Sequence, residues 1–148
     1  MKILLGVDES PHSTAAIDFL KRLPWPKDTQ VTLVSAVRPP LAAYSEVYVP
    51  GSTLSEELTQ QEIRHHEALA ARAAEQLQRA GFETRVRVVS GDPREVLISE
   101  ARTLGADVIV VGSHGRSGLK KLLLGSVASH IVTHAPCSAI VVKLPAAH

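Results

Sequence analysis

The stretch Val108–Gly115, with the sequence VIVVGSHG, runs from consecutive apolar residues into a segment that contains glycine. Nine further residues lead to Gly125-Ser126, and a helical pattern begins at Val127. A short apolar run bounded by turn residues is typical of a parallel strand that is buried on both faces. The order strand, glycine-containing loop, helix therefore predicts an α/β domain, with this loop at the carboxyl end of one strand.

The same alternation of apolar runs and helical periodicity extends over the rest of the chain. The predicted strands are Lys2–Val7, Val31–Val37, Thr84–Val89, Asp107–Val111 and Ser138–Lys143. The predicted helices begin after Ser10-Pro11, run from about Ser55 to Ala80, run from Asp92-Pro93 to Gly105, and run from Ser126 to about His134. A chain with β at both ends predicts a doubly wound domain, in which one parallel sheet lies between two layers of helices as an α/β/α sandwich.

Local signals mark where these helices begin and end. Ser10 and Asp92 each precede a proline, which is the usual order of an N-cap residue and the first helical position. Gly81 and Gly105 follow the last turn of their helices, where a left-handed residue commonly ends a helix. The long second helix carries a stripe that predicts its buried face, made of Ile63, His66, Ala70, Ala73, Leu77 and Ala80.

The composition limits the classes of function. A length of 148 residues is typical of one domain, so residues 1–148 are predicted to form a single unit. Sixteen basic and 15 acidic residues nearly cancel, which argues against a broad surface for nucleic acid. The only cysteine, Cys137, fits a reducing compartment, and the early apolar run Ile3–Leu5 is too short for a secretory signal or a membrane span. We therefore expect a cytoplasmic protein with neither a membrane nor a nucleic-acid partner.

The loop from Gly112 to Ser126 is longer than the roughly 2–6 residues that usually connect a strand to a helix. Its glycines allow main-chain amides to approach a ligand, and the following helix adds unpaired N–H groups and a positive dipole end. The spaced set therefore predicts a phosphate site, with glycines that only form tight turns as the alternative. The segment Gly115–Gly118 (GRSG) lacks the ending of a Walker A loop, and the dinucleotide fingerprint is also missing.

Charged and imidazole side chains in the loop have two interpretations each. Arg116, Lys120 and Lys121 either add positive charge near a phosphate or form a solvated basic face. His114 either hydrogen-bonds a phosphate or caps the turn, and the pattern assigns it no catalytic role.

Asp8 ends the first predicted strand. If the first and fourth strands are neighbours, Asp8 and Gly112 flank the crevice in which doubly wound sheets bind ligands. An acidic side chain there would repel bare phosphates, which favours a role at the nucleoside end or beside a divalent cation. The alternative is a local one, in which Asp8 and Ser10 cap the first helix, and this alternative is stronger for Ser10.

Three segments together resemble the universal stress protein family. They are Ile3–Ser10 (ILLGVDES), the loop spacing Gly-x2-Gly-x9-Gly-Ser, and Pro136–Val142 (PCSAIVV). The resemblance covers essentially the whole chain, and the loop matches the ATP-binding branch of the family at each glycine and at Ser126. It implies the strand order 3-2-1-4-5, which the apolar pattern does not reveal.

The resemblance also implies that ATP, with Mg²⁺, lies over the carboxyl edge of the sheet. The adenine would contact backbone near Gly6 and Ala36, and the phosphates would contact Gly112–Gly118 and Gly125–Val127. The implied binding residues are Gly6, Val7, Asp8, Ala36, Val37, Gly112, Ser113, His114, Gly115, Arg116, Ser117, Gly118, Gly125, Ser126 and Val127. The phosphates would hold the Mg²⁺, with Asp8 as the one protein side chain that is a candidate ligand.

A regulatory role in the stress response follows from the same resemblance, with at most slow ATP hydrolysis and no assigned catalytic residue. The family further implies a homodimer in which the last strands, Ser138–Lys143, pair. Such an edge strand has unpaired backbone groups that need a cover, and pairing between subunits supplies one.

Other interpretations of the sequence remain open. A receiver domain would use Asp8-Glu9, Asp92 and Lys143, although Asp92 also fits a helix cap and the glycine loop would then be unexplained. An enzyme that cleaves or transfers the ATP phosphate would have to rely on Asp8 or His114. A structural dimer without a ligand is the third alternative.

The remaining histidines and one long segment complete the sequence analysis. His65 and His66 are adjacent on a helix and point to different sides, whereas His130 and His134 share a face but lack a third ligand nearby, so we expect no structural metal site. The segment Arg38–Thr53 follows the second strand and contains three of the nine prolines of the chain. It predicts either a flexible flap over a ligand, across residues 38–54, or a disordered connection.

Overall fold

The computed structural model describes residues 1–39, 53–115 and 123–145, with side chains of the second helix described from Glu56 onward. The strands are β1 (Lys2–Gly6), β2 (Gln30–Val37), β3 (Glu83–Ser90), β4 (Val108–Gly112) and β5 (Ser138–Val142). The helices are α1 (Pro11–Arg22), α2 (Thr53–Arg79), α3 (Pro93–Leu104) and α4 (Ser126–His134). Each predicted strand and helix is therefore present, with ends that differ from the expected ones by a few residues.

All the strands are parallel and form one sheet in the order β3-β2-β1-β4-β5. Leu4 in the middle of β1 pairs with Thr32 on one side and with Ile109 on the other. The first and fourth strands are thus neighbours, and the strand order reverses at β1. In open α/β sheets a crevice forms at the carboxyl ends of the strands at such a point.

Alternation along the central strands divides the core into two layers. Leu5 and Leu33 face the first layer, where α1 and α2 contribute Leu20 and Leu77. Leu4, Val34 and Ile109 face the second layer, where α3 and α4 contribute Leu97 and Ile131. Successive residues of a strand point to opposite faces, so an apolar run such as Ile3-Leu4-Leu5 can fill both layers. The fold is the expected α/β/α sandwich.

The two predicted N-caps are confirmed. Ser10 Oγ accepts a hydrogen bond from Ser13 N at 3.1 Å, and Asp92 accepts one from Arg94 N at 2.9 Å. Gly105 ends α3 at φ 60°, in the left-handed region. Among the described residues, no helix combines the length and the apolar character needed to cross a membrane.

Asp92 also makes the free energy of unfolding depend on pH in the acid range. Arg94 Nη2 lies 2.7 Å from Asp92 Oδ2, and its hydrogen bond holds the pKa of Asp92 at about 2, below the ordinary 3.8. The pKa is lower in the folded state, so the stabilisation is present above about pH 4 and is lost as the pH falls to about 2.

Asp92→Asn keeps the cap but removes the charge, so we expect it to lower the free energy of unfolding at pH 7 by about 0.5 kcal/mol, the scale of an exposed ion pair. The difference should be clearly smaller near pH 2, where about half of Asp92 is protonated in the folded protein. Urea unfolding of both proteins at the two pH values measures it, and an equal difference at both would contradict the charge-based explanation.

Candidate functional site

A cleft with a volume of about 510 Å³ lies at the carboxyl edge of the sheet, above β1 and β4. It is bounded by the ends of the central strands, the starts of α1, α3 and α4, and one side of α2. The cleft therefore occupies the position where the strand order reverses, as the topology predicts. Its two ends differ in chemistry.

The first turn of α4 forms one end of the cleft. Its N-cap is Gly125, which has no side chain to cap the helix, whereas side chains of Ser10 and Asp92 cap α1 and α3. The amides of the first helical turn have no acceptor within a helix, so those at Ser126 and Val127 are placed to donate to an anion in the cleft. Gly125 N donates to Ser113 O at 2.7 Å, which brings the two ends of the long loop together.

The described loop glycines, Gly112, Gly115 and Gly125, do not have a positive φ, since the described glycines that do are Gly81, Gly91 and Gly105. Close packing, and not an unusual backbone conformation, therefore explains the loop glycines. A Cβ at Gly112 would lie 2.7 Å from the backbone of His12 in α1. One at Gly125 would lie 3.1 Å from His114 Cα, and one at Gly115 would meet, among the described residues, the Asp8 carboxylate alone, at 3.3 Å. Gly112 therefore serves the contact between β4 and α1, whereas Gly115 and Gly125 shape the loop itself.

Ser113 and His114 belong to a cluster of polar side chains beneath this loop. The Ser113 hydroxyl is buried and lies 3.1 Å from His12 Nδ1 and 3.0 Å from His114 Nδ1. The two imidazole centroids are 5.0 Å apart. The hydroxyl thus fixes the orientation of both rings, while His114 itself lines the cleft.

Asp8 makes the local contacts of the helix-capping alternative, and it also lines the cleft. Its Oδ1 accepts from Ser10 N at 2.7 Å, and its own amide donates to Ser13 Oγ at 3.1 Å, so it organises the turn into α1. Its Oδ2 faces Gly115, and Asp8 lines the cleft. The carboxylate therefore lies beside the start of the glycine loop as well as at the start of α1.

The structure brings most of the expected binding residues together. Those that line the cleft are Gly6, Val7, Asp8, Ala36, Gly112, His114, Gly115, Gly125, Ser126 and Val127. Val37 and Ser113 are buried beside it. Arg116, Ser117 and Gly118 lie outside the described residues, as do Lys120, Lys121 and most of the expected flap.

Two walls of the cleft were not predicted from the sequence. One is apolar and lies on the side of α3 and α4, formed by Val34, Pro93, Leu97, Val111 and Ala128. The other is polar and comes from Glu62 and His66 of α2. His66 appears in the sequence as a member of the apolar stripe of α2, so periodicity indicates its burial but not its contact with the cleft.

His65, His130 and His134 do not line this cleft. His65 Nε2 is bound to the carboxylate of Glu9, and His130 Nε2 lies 3.3 Å from Glu95 Oε1 and stacks on His134. Among the residues with described side chains, no three His, Cys, Asp or Glu are grouped so that they could hold a metal ion.

The geometry of a receiver domain is not present. A receiver has the strand order 2-1-3-4-5, which places its third strand beside the first. Here β3 is at the edge of the sheet, and β2 separates it from β1. Asp92 follows β3 and Asp8 follows β1, so the two residues do not follow neighbouring strands as they would in a receiver. Asp92 is instead engaged by Arg94 at the start of α3.

Comparison with known proteins gives a consistent result. The sequence model of the universal stress protein family matches residues 1–143. Universal stress protein YxiE of Bacillus subtilis is 28% identical over 149 residues, which cover 96% of this chain and 98% of YxiE. The structure of MJ0577 of Methanocaldococcus jannaschii has a TM-score of 0.86 at 25% identity, over 99% of this chain and 97% of that one. The universal stress protein of Archaeoglobus fulgidus, solved in complex with dAMP, has a TM-score of 0.69 at 18% identity, and the match covers 97% of this chain and 98% of that one.

Proposed function

The chain belongs to the universal stress protein family, and from this premise we propose that it is an ATP-binding regulatory protein of the stress response. The observation that carries the proposal is the start of α4, where the N-cap Gly125 leaves the first amides of the helix open to the cleft. Amides and a helix dipole at one end of a partly apolar cleft match a ligand that joins phosphate to an aromatic base.

The chemistry of ligands in similar folds supports an adenine nucleotide. Proteins of this fold have been solved with cAMP, with AMP and with dAMP. All three ligands consist of adenine, a sugar and phosphate. In this chain the apolar wall would receive the base near Gly6 and Ala36, and the phosphates would extend toward Gly115 and the start of α4.

Asp8 supports a role for Mg²⁺ with the nucleotide. Its Oδ2 faces Gly115, so a bare phosphate at Gly115 would lie against a negative charge. A divalent cation between phosphate oxygens and this carboxylate would remove the repulsion, and carboxylate and phosphate oxygens are the ligands that Mg²⁺ prefers. We therefore expect ATP to bind more tightly with Mg²⁺ than without it.

Binding with slow turnover is a better match to this cleft than fast hydrolysis. Fast hydrolysis needs a group that positions or deprotonates water. The Asp8 Oδ1 already accepts from Ser10 N, and Nδ1 of His114 is held by the Ser113 hydroxyl. A homodimer through β5 completes the proposal, because β5 ends the sheet and its residues Ser138 and Ala139 are exposed.

The test is calorimetric titration of the wild type and of Gly115→Val with ATP and Mg²⁺. A valine at this position would enter the space beside Asp8, so we expect at least a tenfold weaker affinity, about 1.4 kcal/mol, with the fold retained. Gly115→Ala, with its smaller side chain, should bind more tightly than the valine variant.

The wild type also provides the decisive negative outcome. If it does not bind ATP with Mg²⁺, the proposal fails and the glycines have structural roles only. Sedimentation of the same sample measures its mass, and the mass of a single subunit would contradict the proposed dimer. Turnover of bound ATP within seconds would contradict a regulatory binder.

A further inference from the structure

Arg38 is the one lysine or arginine among the described residues that line the cleft. It directly follows β2, and it is exposed. The next residue is Pro39, and a residue that precedes proline is restricted to extended conformations. The alternation of β2 therefore continues to Arg38, so its side chain points to the same face of the sheet as those of Val34 and Ala36.

Two observations place the Arg38 guanidinium beside the apolar wall of the cleft. Val34 belongs to that wall, and so does Pro93 at the start of α3. The pKa of Asp92, the N-cap directly before Pro93, is lowered mainly by its hydrogen bond with Arg94, and the positive charge of Arg38 lowers it further. Arg38 therefore continues the apolar wall outward, from the end of β2 toward the start of α3.

The acidic residues on neighbouring elements have partners other than Arg38. Asp92 Oδ1 and Oδ2 accept from Arg94 Nε at 3.1 Å and from Arg94 Nη2 at 2.7 Å. Glu62 Oε2 of α2 lies 3.8 Å from His66 Nε2. Within residues 1–39, 53–115 and 123–145, no carboxylate forms an ion pair with Arg38. The guanidinium is therefore available to a ligand in the cleft.

The position of Arg38 is suited to a base rather than to a phosphate. β1 lies between β2 and β4, and neighbouring strands are about 4.8 Å apart, so the end of β2 is about 10 Å from the strand that leads into the glycine loop. A base near Ala36 would lie against the apolar wall, with its outer part beside Arg38. A planar guanidinium stacks on aromatic rings, and such a contact is both dispersive and electrostatic.

We propose that Arg38 is a base-stacking residue of the nucleotide site, with its guanidinium on the outer part of the adenine ring. This role rests on the proposed function, because it needs a nucleotide in the cleft. It adds a side-chain contact to a base whose other expected contacts are to backbone near Gly6 and Ala36. The contact contributes affinity and does not select the base, since every base presents a π-face.

The test compares binding of ATP and of inorganic tripolyphosphate, each with Mg²⁺, to the wild type and to variants of Arg38. Arg38→Ala should bind ATP about fivefold more weakly, on the scale of a cation–π contact. Its affinity for tripolyphosphate should stay within about twofold of the wild type, since that probe has no base. Arg72→Ala is the matched control, because it removes the same charge from an exposed position on α2 that does not line the cleft.

Two further variants separate stacking from charge. Arg38→Tyr provides a planar ring without a charge, so it should bind ATP within about twofold of the wild type. Arg38→Lys keeps the charge but loses the plane, so its affinity for ATP should fall between those of Arg38→Ala and the wild type. Arg38 is exposed, so all of these variants are expected to fold.

The outcomes distinguish this inference from the proposed function. A wild type that does not bind ATP contradicts the proposed function and the stacking role together. A wild type that binds ATP, with an Arg38→Ala variant that binds it equally tightly, contradicts the stacking role alone. Equal weakening of ATP and tripolyphosphate in Arg38→Ala would also overturn stacking, because it would indicate attraction of the charge to phosphate. The same conclusion would follow if Arg38→Lys bound ATP like the wild type and Arg38→Tyr bound it like Arg38→Ala.

Discussion

Replacing Gly112 with alanine is expected to lower the free energy of unfolding by about 3 kcal/mol, at the upper end of what added volume in a packed interior costs. The new Cβ would lie 2.7 Å from the His12 carbonyl carbon and 2.8 Å from its oxygen. These are backbone atoms in the first turn of α1, so no side-chain rotation can relieve the contact. The helix and β4 would have to separate. Urea unfolding monitored by circular dichroism measures the change.

Gly115→Ala is the matched control for that experiment. Neither glycine has a positive φ, so alanine introduces no backbone strain at either position. Within the part of the chain that the structure describes, a Cβ at Gly115 meets just the end of the Asp8 side chain, at 3.3 Å, and that side chain can shift. We expect a loss below about 1 kcal/mol. If Gly112→Ala were as stable as Gly115→Ala, α1 would not lie against β4 as closely as described.

This result would also separate two functions within the glycine pattern. In the sequence, Gly112 and Gly115 are equivalent members of a predicted phosphate loop. In the structure, a side chain at Gly112 would point into α1, and the absence of one lets α1 lie against β4. In this arrangement the His12 imidazole contacts the Ser113 hydroxyl. The glycine pattern therefore combines a structural requirement at Gly112 with the proposed binding role of Gly115, and the sequence alone does not distinguish the two.

The fold could be predicted because its signals are local. Apolar runs such as Ile3-Leu4-Leu5 fill both layers, so they identify buried strands, and Ser10 and Asp92 identify helix starts through bonds to residues that follow closely. Ala80 is an exception, since the stripe predicted its burial but α2 ends at Arg79 and Ala80 is exposed. The adjacency of β1 and β4 is not local, and it came from the family resemblance alone.

The site could be predicted only in part, for the same reason. The loop pattern indicated Gly115, Gly125 and Ser126, and the end of the first strand indicated Asp8, all of which line the cleft. The pairing of Ser35 with His66 joins residues of β2 and α2 that are far apart in sequence. A buried histidine and a buried serine have no pattern that distinguishes them from ordinary core positions, so this part of the site needed the structure.

Replacing Gly125 with valine is expected to weaken ATP binding at least hundredfold, about 2.7 kcal/mol. Its first added carbon would lie 3.1 Å from His114 Cα and 3.2 Å from Ser113 O. Relief of these contacts requires the start of α4 to move away from the loop, which breaks the bond of 2.7 Å from Gly125 N to Ser113 O. The first amides of α4 would then no longer converge with the loop on one phosphate. Calorimetric titration with ATP and Mg²⁺ measures the loss.

Ser126→Ala is the matched control at the next position. It leaves the backbone unchanged and removes one hydroxyl from an exposed residue, so we expect no more than about a fivefold weaker affinity. The φ of Gly125 is −69° and its ψ is 168°, a conformation that valine adopts without strain, so both variants should retain their circular dichroism spectra. A folded Gly125→Val protein that binds ATP like the wild type would show that the start of α4 does not hold the phosphates. The site would then have to be sought at the opposite end of the cleft, where Glu62 and His66 lie.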